Sequence, residues 1–423
     1  MISLLLAVIT MLMTPAVSAL ELDGVTSGNA AWTAESSAYA TTTEIALTQR
    51  FSQDARLEMA GRLNADTTGT PRVLLSELRY EQTVTVTGFD IVTMELGRQS
   101  VSDATGLVQL PAVDAGTLTW QRPGFSLSAV GATTTLLAPE QSLVLTSTDA
   151  TATDPEGLTG PTRHLAVLTL AFPEQIWRTN LAAQYLLQLD GRRFADPAAG
   201  EDLLDAQYAT GTVSLPLSRA LFATASVVGS YARYEVAGSG GTDIESLLAS
   251  GSLRGYTELP TRPSGTVRAV YASGADQPNE LPAVNAGSGT DRSSAFPPGP
   301  FQLSWTLAPL PLQNVVAVAA EGSLLPLEAS GLPWLEDTRL TMRAQGLAKP
   351  GPGASGVAGL VSPEATGWYG AELDAELLLK PFGDLEISGS GAIFLPAQSA
   401  IGGVFAAQVE QRWRMTIGAT LRW

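Results

Sequence analysis

Histidine, the commonest general base of enzymes, occurs once in the 423-residue chain, as His164. A Ser-His-Asp hydrolase or a histidine-based zinc site would have to be built on this residue. His164 follows Arg163 near a predicted strand end, and no nucleophile motif lies beside it. Because the chain contains no cysteine, thiolate chemistry and disulfides are excluded. We therefore expect no catalytic residue, no metal site and no cofactor; an enzyme remains an alternative that depends on His164 alone.

Arginine and carboxylate side chains occupy every second position of several segments. In Glu77-Leu78-Arg79-Tyr80-Glu81 the charged residues alternate with apolar or aromatic ones. Rings of charge in a pore tune which solutes pass through it. The same residues could instead pair across neighbouring strands and stiffen a sheet, each pair contributing about 0.2 to 1 kcal/mol. The spacing leaves both roles open and predicts that these side chains share one face of β-strands.

The final ten residues show most clearly what kind of strand positions these charges. From Met415 to Trp423 the odd positions are apolar or aromatic, and the even positions between them are polar or glycine. A terminal strand that ends on an aromatic residue is expected where the apolar face meets lipid. Trp368 to Lys380, Asp54 to Asp66 and Arg339 to Ala348 alternate in the same way. The chain is therefore predicted to be an all-β transmembrane antiparallel barrel of about 18 strands, within the range of about 16 to 18.

The connections between predicted strands alternate between short and long, as in outer-membrane barrels with short periplasmic turns and long extracellular loops. The predicted short turns are Ser52-Gln53, Thr85 to Gly88, Arg122 to Gly124, Pro173 to Gln175, Pro216 to Arg219, Pro260 to Pro263, Glu328 to Asp337 and Pro381 to Asp384. The longest predicted loops are Gln99 to Gly116, Ala138 to Thr162, Asp190 to Asp205, Gly274 to Gln313 and Lys349 to Gly367. We expect Gln99 to Gly116 or Gly274 to Gln313 to fold inward and narrow a pore.

The amino terminus and the composition agree with an outer-membrane location. An apolar run from Leu4 to Met13, followed by Val17-Ser18-Ala19, predicts a signal peptide over residues 1–19 and a single barrel domain over residues 20–423. Charged residues make up 15% of the chain and hydrophobic residues 45%, whereas soluble domains carry about 25% charged residues. A net charge of −17 argues against nucleic acid as a partner.

The predicted alternation assigns charged and aromatic side chains to opposite faces of the wall. Aromatic residues near strand ends are expected to form girdles at the two membrane interfaces. A sugar-stacking slide inside the pore is the alternative role for aromatic residues. The predicted interface residues are Trp120, Tyr369, Trp413 and Trp423. The predicted pore-lining residues are Arg56, Glu58, Arg62, Glu77, Arg79, Glu81, Arg268, Arg339, Arg343, Glu372, Asp374, Glu376 and Arg414.

The segment from Gly370 to Pro396, GAELDAELLLKPFGDLEISGSGAIFLP, resembles the closing region of alginate-export type outer-membrane porins. In that family a Gly-x-Glu-x-Asp strand, a short turn, a glycine-punctuated strand and a Phe-x-Pro loop precede the last strand. The run from Gly97 to Gly106, GRQSVSDATG, is similar to a Gly-Arg-Gln strand end of the same group. The resemblance implies an eighteen-stranded porin-like channel of the bacterial outer membrane.

The expected function is passive diffusion of small hydrophilic solutes through this channel. Export of an alginate-like polysaccharide is an alternative implied by the resemblance. A barrel whose loops plug the lumen and bind an outside partner is a second alternative. The expected partners are outer-membrane lipid, the barrel-assembly machinery acting on the C-terminal strand, and the solutes; a homotrimer is possible at this size, and nucleic acid is not expected.

Overall fold

The computed structural model is a closed, all-antiparallel β-barrel. It describes residues 20–33, 37–66, 72–102, 109–133, 163–174, 178–191, 202–236, 241–259, 261–273, 292–293, 314–328, 330–352, 366–399, 402–405 and 412–422. The strands of the first half are β1 (Leu20–Thr33), β2 (Ser37–Arg50), β3 (Ala55–Asp66), β4 (Arg72–Thr87), β5 (Asp90–Ser102), β6 (Gln109–Arg122), β7 (Phe125–Thr133), β8 (Arg163–Phe172), β9 (Asn180–Asp190) and β10 (Asp202–Pro216). Those of the second half are β11 (Leu221–Val236), β12 (Gly241–Tyr256), β13 (Ser264–Ala272), β14 (Arg292–Ser293), β15 (Val315–Leu324), β16 (Arg339–Lys349), β17 (Gly367–Phe382), β18 (Leu385–Pro396) and β19 (Arg412–Arg422).

Eighteen of these strands form the wall, and the predicted fold class is confirmed. Each wall strand pairs with its neighbours, β13 with β15 among them, and the ring closes where β1 pairs with β19 from Val25–Arg422 to Thr33–Arg414. The two-residue strand β14 is not counted as a wall strand. It pairs in parallel with β12 at Asp243 and Ile244. Closure leaves no unpaired sheet edge, which a barrel in lipid requires because bare backbone groups cannot be hydrated there.

The alternation read from the sequence determines which face of each strand points outward. On β13, Gly265, Val267 and Ala269 are exposed, whereas Thr266 and Arg268 on the other parity are half-buried. The exposed residues of the outer face include large apolar side chains such as Met342 and Ile417. An apolar exterior of this kind is stable only against lipid, and the polar parity faces the lumen.

Each predicted short turn falls at the junction of two consecutive wall strands, although several begin within the end of a strand, as Thr85 to Gly88 does in β4. The tightest are Gly88–Phe89, Pro123–Gly124 and Gly383–Asp384. The longest, between β15 and β16, contains the short helix α1 (Pro333–Glu336) and is tied to the preceding turn by an Arg262–Glu328 ion pair of 2.8 Å. Within the described residues, no helix has the length and apolar character needed to cross a bilayer.

The predicted loop from Gln99 to Gly116 is wrong for most of its length. Strand β5 continues to Ser102 and β6 begins at Gln109, and the two pair as far as Ser102–Gln109 across a bulge between Gln99 and Val101. Val101 and Val113 are buried in the barrel's apolar cluster, which stabilises the strands beyond the polar residues that indicated a loop. Residues 274–291 and 294–313, most of the other predicted constriction, lie outside the described residues, as do the signal peptide and large parts of the remaining loops.

A bulge in β17 reverses the predicted direction of Tyr369. The register between β16 and β17 shifts at Leu347/Ala348, and Gly370 adopts φ = 141°, a conformation that side chains disfavour. Tyr369 is consequently 1% exposed and its hydroxyl donates to the Asn314 carbonyl at 3.3 Å, whereas Trp368 is 57% exposed on the outside. The prediction of Tyr369 as an outward interface aromatic is therefore wrong.

The extracellular half of the inward face is tightly packed on much of the barrel and combines an apolar cluster with buried polar groups such as Arg163, Asp190 and Gln188. Inward residues of β9 to β16, including Leu186, Val228, Leu248 and Leu347, are almost completely buried in one cluster. Val404 and Phe405, in the segment between β18 and β19, belong to the same cluster. The Phe405 ring lies 6.2 Å from both Tyr369 and Phe394. The inward face therefore changes from exposed and polar near the periplasmic turns to packed and largely buried towards the extracellular side.

Candidate functional site

One wall of the lumen carries a network of carboxylates bridged by two arginines. Its members lie on β3, β4 and β5. Arg56 donates to Glu81 at 2.7 Å and also lies 3.3 Å from Glu58. Arg79 pairs with Glu58, with Glu77 at 3.2 Å and with Glu95 at 3.8 Å. Four carboxylates against two guanidiniums leave this wall with a formal charge of −2, and we call it the acidic wall.

A single arginine connects three strands further round the ring. Arg343 on β16 donates to Glu321 on β15 at 3.0 Å, to Asp374 on β17 at 3.0 Å and to Glu376 on β17 at 3.2 Å. The planar fork of a guanidinium fits this arrangement because its N–H groups point in different directions. Asp374 is nearly buried, with 2% of its side chain exposed, so Arg343 supplies the charge that stabilises it.

A second group of arginines surrounds a chamber at the periplasmic end of the lumen. The chamber has a volume of about 1110 Å³ and is formed by β11 to β13 and β15 to β17. Arg254, Arg262, Arg339 and Arg343 line it together with Glu321 and Glu376. With Glu328 and Asp374, the further ion-pair partners of Arg262 and Arg343, four arginines meet four carboxylates and the formal charges sum to zero. Within the described part of the chain, Arg254 and Arg339 form no ion pair, so their charges remain available. We call this side the basic wall.

The two walls face each other across the barrel. Counting along the ring of wall strands, β13 is the ninth strand from β4 in both directions. The centre of the basic wall is therefore diametrically opposite the centre of the acidic wall. The carboxylate excess of the acidic wall and the charges of Arg254 and Arg339 on the basic wall would produce a field transverse to the barrel axis. A dipolar or zwitterionic solute would be oriented by this field as it moves along the axis.

The predicted pore-lining residues whose side chains the structure describes lie on the inward face, in different settings. Arg56, Glu58, Glu77, Arg79 and Glu81 form the acidic wall, while Arg339, Arg343 and Glu376 line the chamber. Arg268 and Arg414 are half-buried on the inward parity of β13 and β19. Glu372 and Asp374 are inward but buried, at 0% and 6% exposed, so an open lumen would not reach Glu372 directly. Arg62 lies on β3 opposite Glu44, and its side chain is outside the described residues.

Of the four predicted interface aromatics, two lie on the outer face, one points inward and one is outside the described residues. Trp120 belongs to an outward group at the periplasmic end, with its ring 5.6 Å from Phe125, which in turn lies 5.5 Å from Phe172. Trp413 is exposed on the outer face at the extracellular end of β19. Trp423 lies outside the described residues, and Tyr369 is inward as described above. Trp120 and Trp413 therefore lie near opposite ends of the barrel, where a two-girdle arrangement would require them.

His164 lies at the extracellular end of β8 on the outward parity. It is exposed, and its register partners are Thr133 on β7 and Leu189 on β9. Its neighbour Arg163 points inward and forms a buried ion pair with Asp190. His164 therefore lies between the ends of β7 and β9 on the outer face, and its side chain does not face the chamber.

Sequence reasoning missed several residues of the site. Glu95 and Glu321 complete the acidic wall and the Arg343 fork, and Phe222 and Tyr256 line the chamber. Phe222 occupies the polar parity of β11, in line with Thr224 and Ser226. That parity was the available signal, since an aromatic residue among inward polar positions has no place in a lipid-facing girdle.

A closed barrel of 18 strands with an apolar exterior and a charged lumen is an outer-membrane β-barrel of the porin type. This architecture places the protein in the bacterial outer membrane.

Solved structures of outer-membrane porins from Pseudomonas aeruginosa share the fold. OccK11 (OpdR) is 11% identical with a TM-score of 0.57, covering 96% of this chain and 95% of its own. OccK2 (OpdF) in complex with glucuronate is 12% identical with a TM-score of 0.58, covering 95% and 98% respectively. OprD is 12% identical with a TM-score of 0.53, covering 96% and 95%. No family model and no curated protein matches the sequence.

These likenesses concern the fold, because the sequence identities are low. They agree with a porin-type barrel and do not single out the alginate-export family that the segment from Gly370 to Pro396 resembles. The resemblance was therefore right about the kind of barrel, and its finer assignment has no support from the comparisons.

Proposed function

We propose that the protein is a channel through which small hydrophilic solutes cross the bacterial outer membrane by passive diffusion. The observation that carries the proposal is the polar chamber of about 1110 Å³ at the basic wall, on the side of the barrel opposite the acidic wall. A wall built only for rigidity would pair its charges, as the acidic wall does. Arg254 and Arg339 instead have no ion-pair partner among the described residues, and their exposed charges face the chamber, where a passing solute or its counter-ions can meet them.

The proposed mechanism combines size exclusion with orientation. The packed extracellular half of the lumen limits the size of what passes, and the opposed walls orient a solute that carries separated charges. Ion pairs neutralise most of the charge on both walls and leave a formal excess of −2 on the acidic wall, so only a weak preference for cations is expected. The pore-lining residues act by their charge alone, and no covalent step, cofactor or catalytic residue is involved. OccK2 in complex with glucuronate gives a precedent for a small hydrophilic molecule in a barrel of this fold.

Swelling of proteoliposomes measures this function directly. Refolded protein is incorporated into liposomes, which are then diluted into isosmotic solutions of a pentose, a hexose, a disaccharide or a dextran. We expect swelling rates that fall as the solute becomes larger, with no entry of dextran. Entry of dextran would favour the polysaccharide-export alternative, and folded protein that admits no solute would contradict the proposal.

A barrel plugged for surface interaction is the second candidate, and one observation favours it. Val404 and Phe405 pack into the inward apolar cluster and join the segment between β18 and β19 to the wall. If such packing fills the whole cross-section, ions will not pass. Replacing Phe405 by alanine would then create conductance where the unmodified barrel has none, whereas in a diffusion channel it would enlarge an existing conductance.

The proposed partners extend beyond the solute. Strand β19 presents Met415, Ile417 and Leu421 to lipid and is proposed as the segment that the barrel-assembly machinery recognises. A homotrimer remains a prediction for which mass measurement in detergent is the test. The signal peptide over residues 1–19 and the single domain over residues 20–423 are likewise retained as proposals.

A further inference from the structure

Two aromatic rings lie side by side inside the lumen near its periplasmic end. Phe222 on β11 and Tyr256 at the end of β12 have ring centroids 6.0 Å apart and ring planes 18° apart, a stacked arrangement. Both line the chamber of the basic wall. We call this pair the aromatic platform.

A role in a membrane girdle does not explain the aromatic platform. Phe222 is the register partner of Arg254, and the two side chains therefore share the inward face. The opposite parity of β11 carries Ala225 and Val227, which are exposed on the outside. The girdle position at the periplasmic end is occupied by the outward group of Trp120, Phe125 and Phe172. Aromatic residues that face water in a lumen require another explanation.

The platform is held in place but only partly covered. The Tyr256 hydroxyl donates to the Arg219 carbonyl, and its backbone N–H donates to the Ala220 carbonyl at 3.0 Å. Each ring shields part of the other, yet Phe222 is 39% exposed and Tyr256 is 42% exposed. Apolar ring surface therefore remains accessible from the chamber and is fixed before any solute arrives.

Hydroxyl groups and a cation surround this surface. The chamber is also lined by Thr224, Ser252, Ser264, Thr266, Ser323 and Thr341. Some of these hydroxyls bond to one another, as Ser264 does to Ser323 at 2.8 Å, and so have geometries fixed by neighbouring strands. A flat apolar surface bordered by hydroxyls matches a molecule that has an apolar face and a polar edge.

We propose that the aromatic platform is a binding subsite for a pyranose sugar, a proposal that rests on the channel function proposed above. One C–H face of the sugar ring lies on Phe222 and Tyr256, while ring hydroxyls exchange hydrogen bonds with serine and threonine side chains of the chamber. Arg254 donates to a sugar hydroxyl or to an acidic substituent where one is present. The subsite would raise the local concentration of sugar at the periplasmic end without a closing gate.

Single-channel recording with sugar on the periplasmic side tests this subsite. Glucose is compared with sorbitol, which carries similar hydroxyls but has no ring and no flat C–H face. We expect glucose to interrupt the open current at concentrations where sorbitol has little effect. Phe222→Leu retains apolar bulk and removes the ring, so the glucose affinity should fall about threefold to tenfold.

The matched control is Phe172→Leu, which removes an aromatic ring at the same end of the barrel on the outer face. It should leave glucose block unchanged. Equal block by glucose and sorbitol, an unchanged affinity in Phe222→Leu, or an equal loss in Phe172→Leu would overturn the subsite. Ion conductance without sugar remains the separate readout of the channel. If the barrel does not conduct, calorimetric titration of the folded protein with glucose measures the affinity of the subsite directly. The affinity should fall in Phe222→Leu and stay unchanged in Phe172→Leu.

Discussion

At the scale of residues, the lumen charges divide into paired and unpaired arginines. Arg343 is bonded to carboxylates on both neighbouring strands, whereas Arg254 has no ion pair within the described residues. Removal of Arg343 takes away the cation that three carboxylates share, and exposing a buried carboxylate to this loss costs more than the bonds contributed when made. The two arginines should therefore contribute equally to the charge of the lumen but unequally to stability.

Arg343→Gln should lower the free energy of unfolding by about 1 to 3 kcal/mol, because the variant must bury the Asp374 carboxylate without the cation that stabilises it. The same change should shift the reversal potential in a salt gradient towards cation preference. Arg254→Gln is the matched control and should shift the reversal potential in the same direction while leaving stability within about 0.5 kcal/mol. Urea unfolding in detergent and bilayer recording provide the two measurements. Equal stability of the two variants would contradict the account of the Arg343 fork.

At the scale of elements, strand alternation was predictable from the sequence and its interruptions were not. Period-two patterns placed Arg339 and Arg343 correctly on one face because each β-strand must turn successive side chains to opposite sides. Tyr369 was misplaced because the bulge at Gly370 inserts a residue and reverses the parity beyond it. The polar composition of Gln99 to Gly116 predicted a loop, but strand pairing and the burial of Val101 and Val113 stabilise β-strands over much of this segment. Local patterns carry no information about such tertiary contacts.

Gly370→Ala should disrupt the extracellular end of the hairpin between β17 and β18. A Cβ at Gly370 would lie 2.1 Å from the Leu395 carbonyl oxygen, and φ = 141° is strained for alanine. We expect a loss of about 1 to 3 kcal/mol in the free energy of unfolding. Loss of Tyr369 packing against Phe405 should also change the near-ultraviolet circular dichroism.

Gly389→Ala on β18 provides the control for this variant, since a Cβ there would have no heavy atom within 4 Å. It removes a glycine from the same hairpin without a clash or a reversed φ. Similar destabilisation by the two substitutions would show that glycine is needed for another reason and that the bulge is not specifically constrained.

At the scale of the whole molecule, the ring of eighteen strands brings the acidic and basic walls into opposition. The net charge of −17 reveals neither wall, because it sums over the whole chain and most acidic residues lie outside the two walls. The two walls are separated by half the circumference of the ring. The sequence predicted the barrel, its turns and the inward charges. It did not predict which charges face each other, because this depends on the strand number and on closure of β1 onto β19.

Single-channel conductance of the refolded mature protein in a planar bilayer is the most direct test of the central claim, that this barrel conducts small solutes between the acidic and basic walls. We predict stable open steps whose ion preference, read under a salt gradient, is weak because ion pairs neutralise most of the charged side chains of the two walls. A correctly folded barrel that inserts but never conducts would contradict the account.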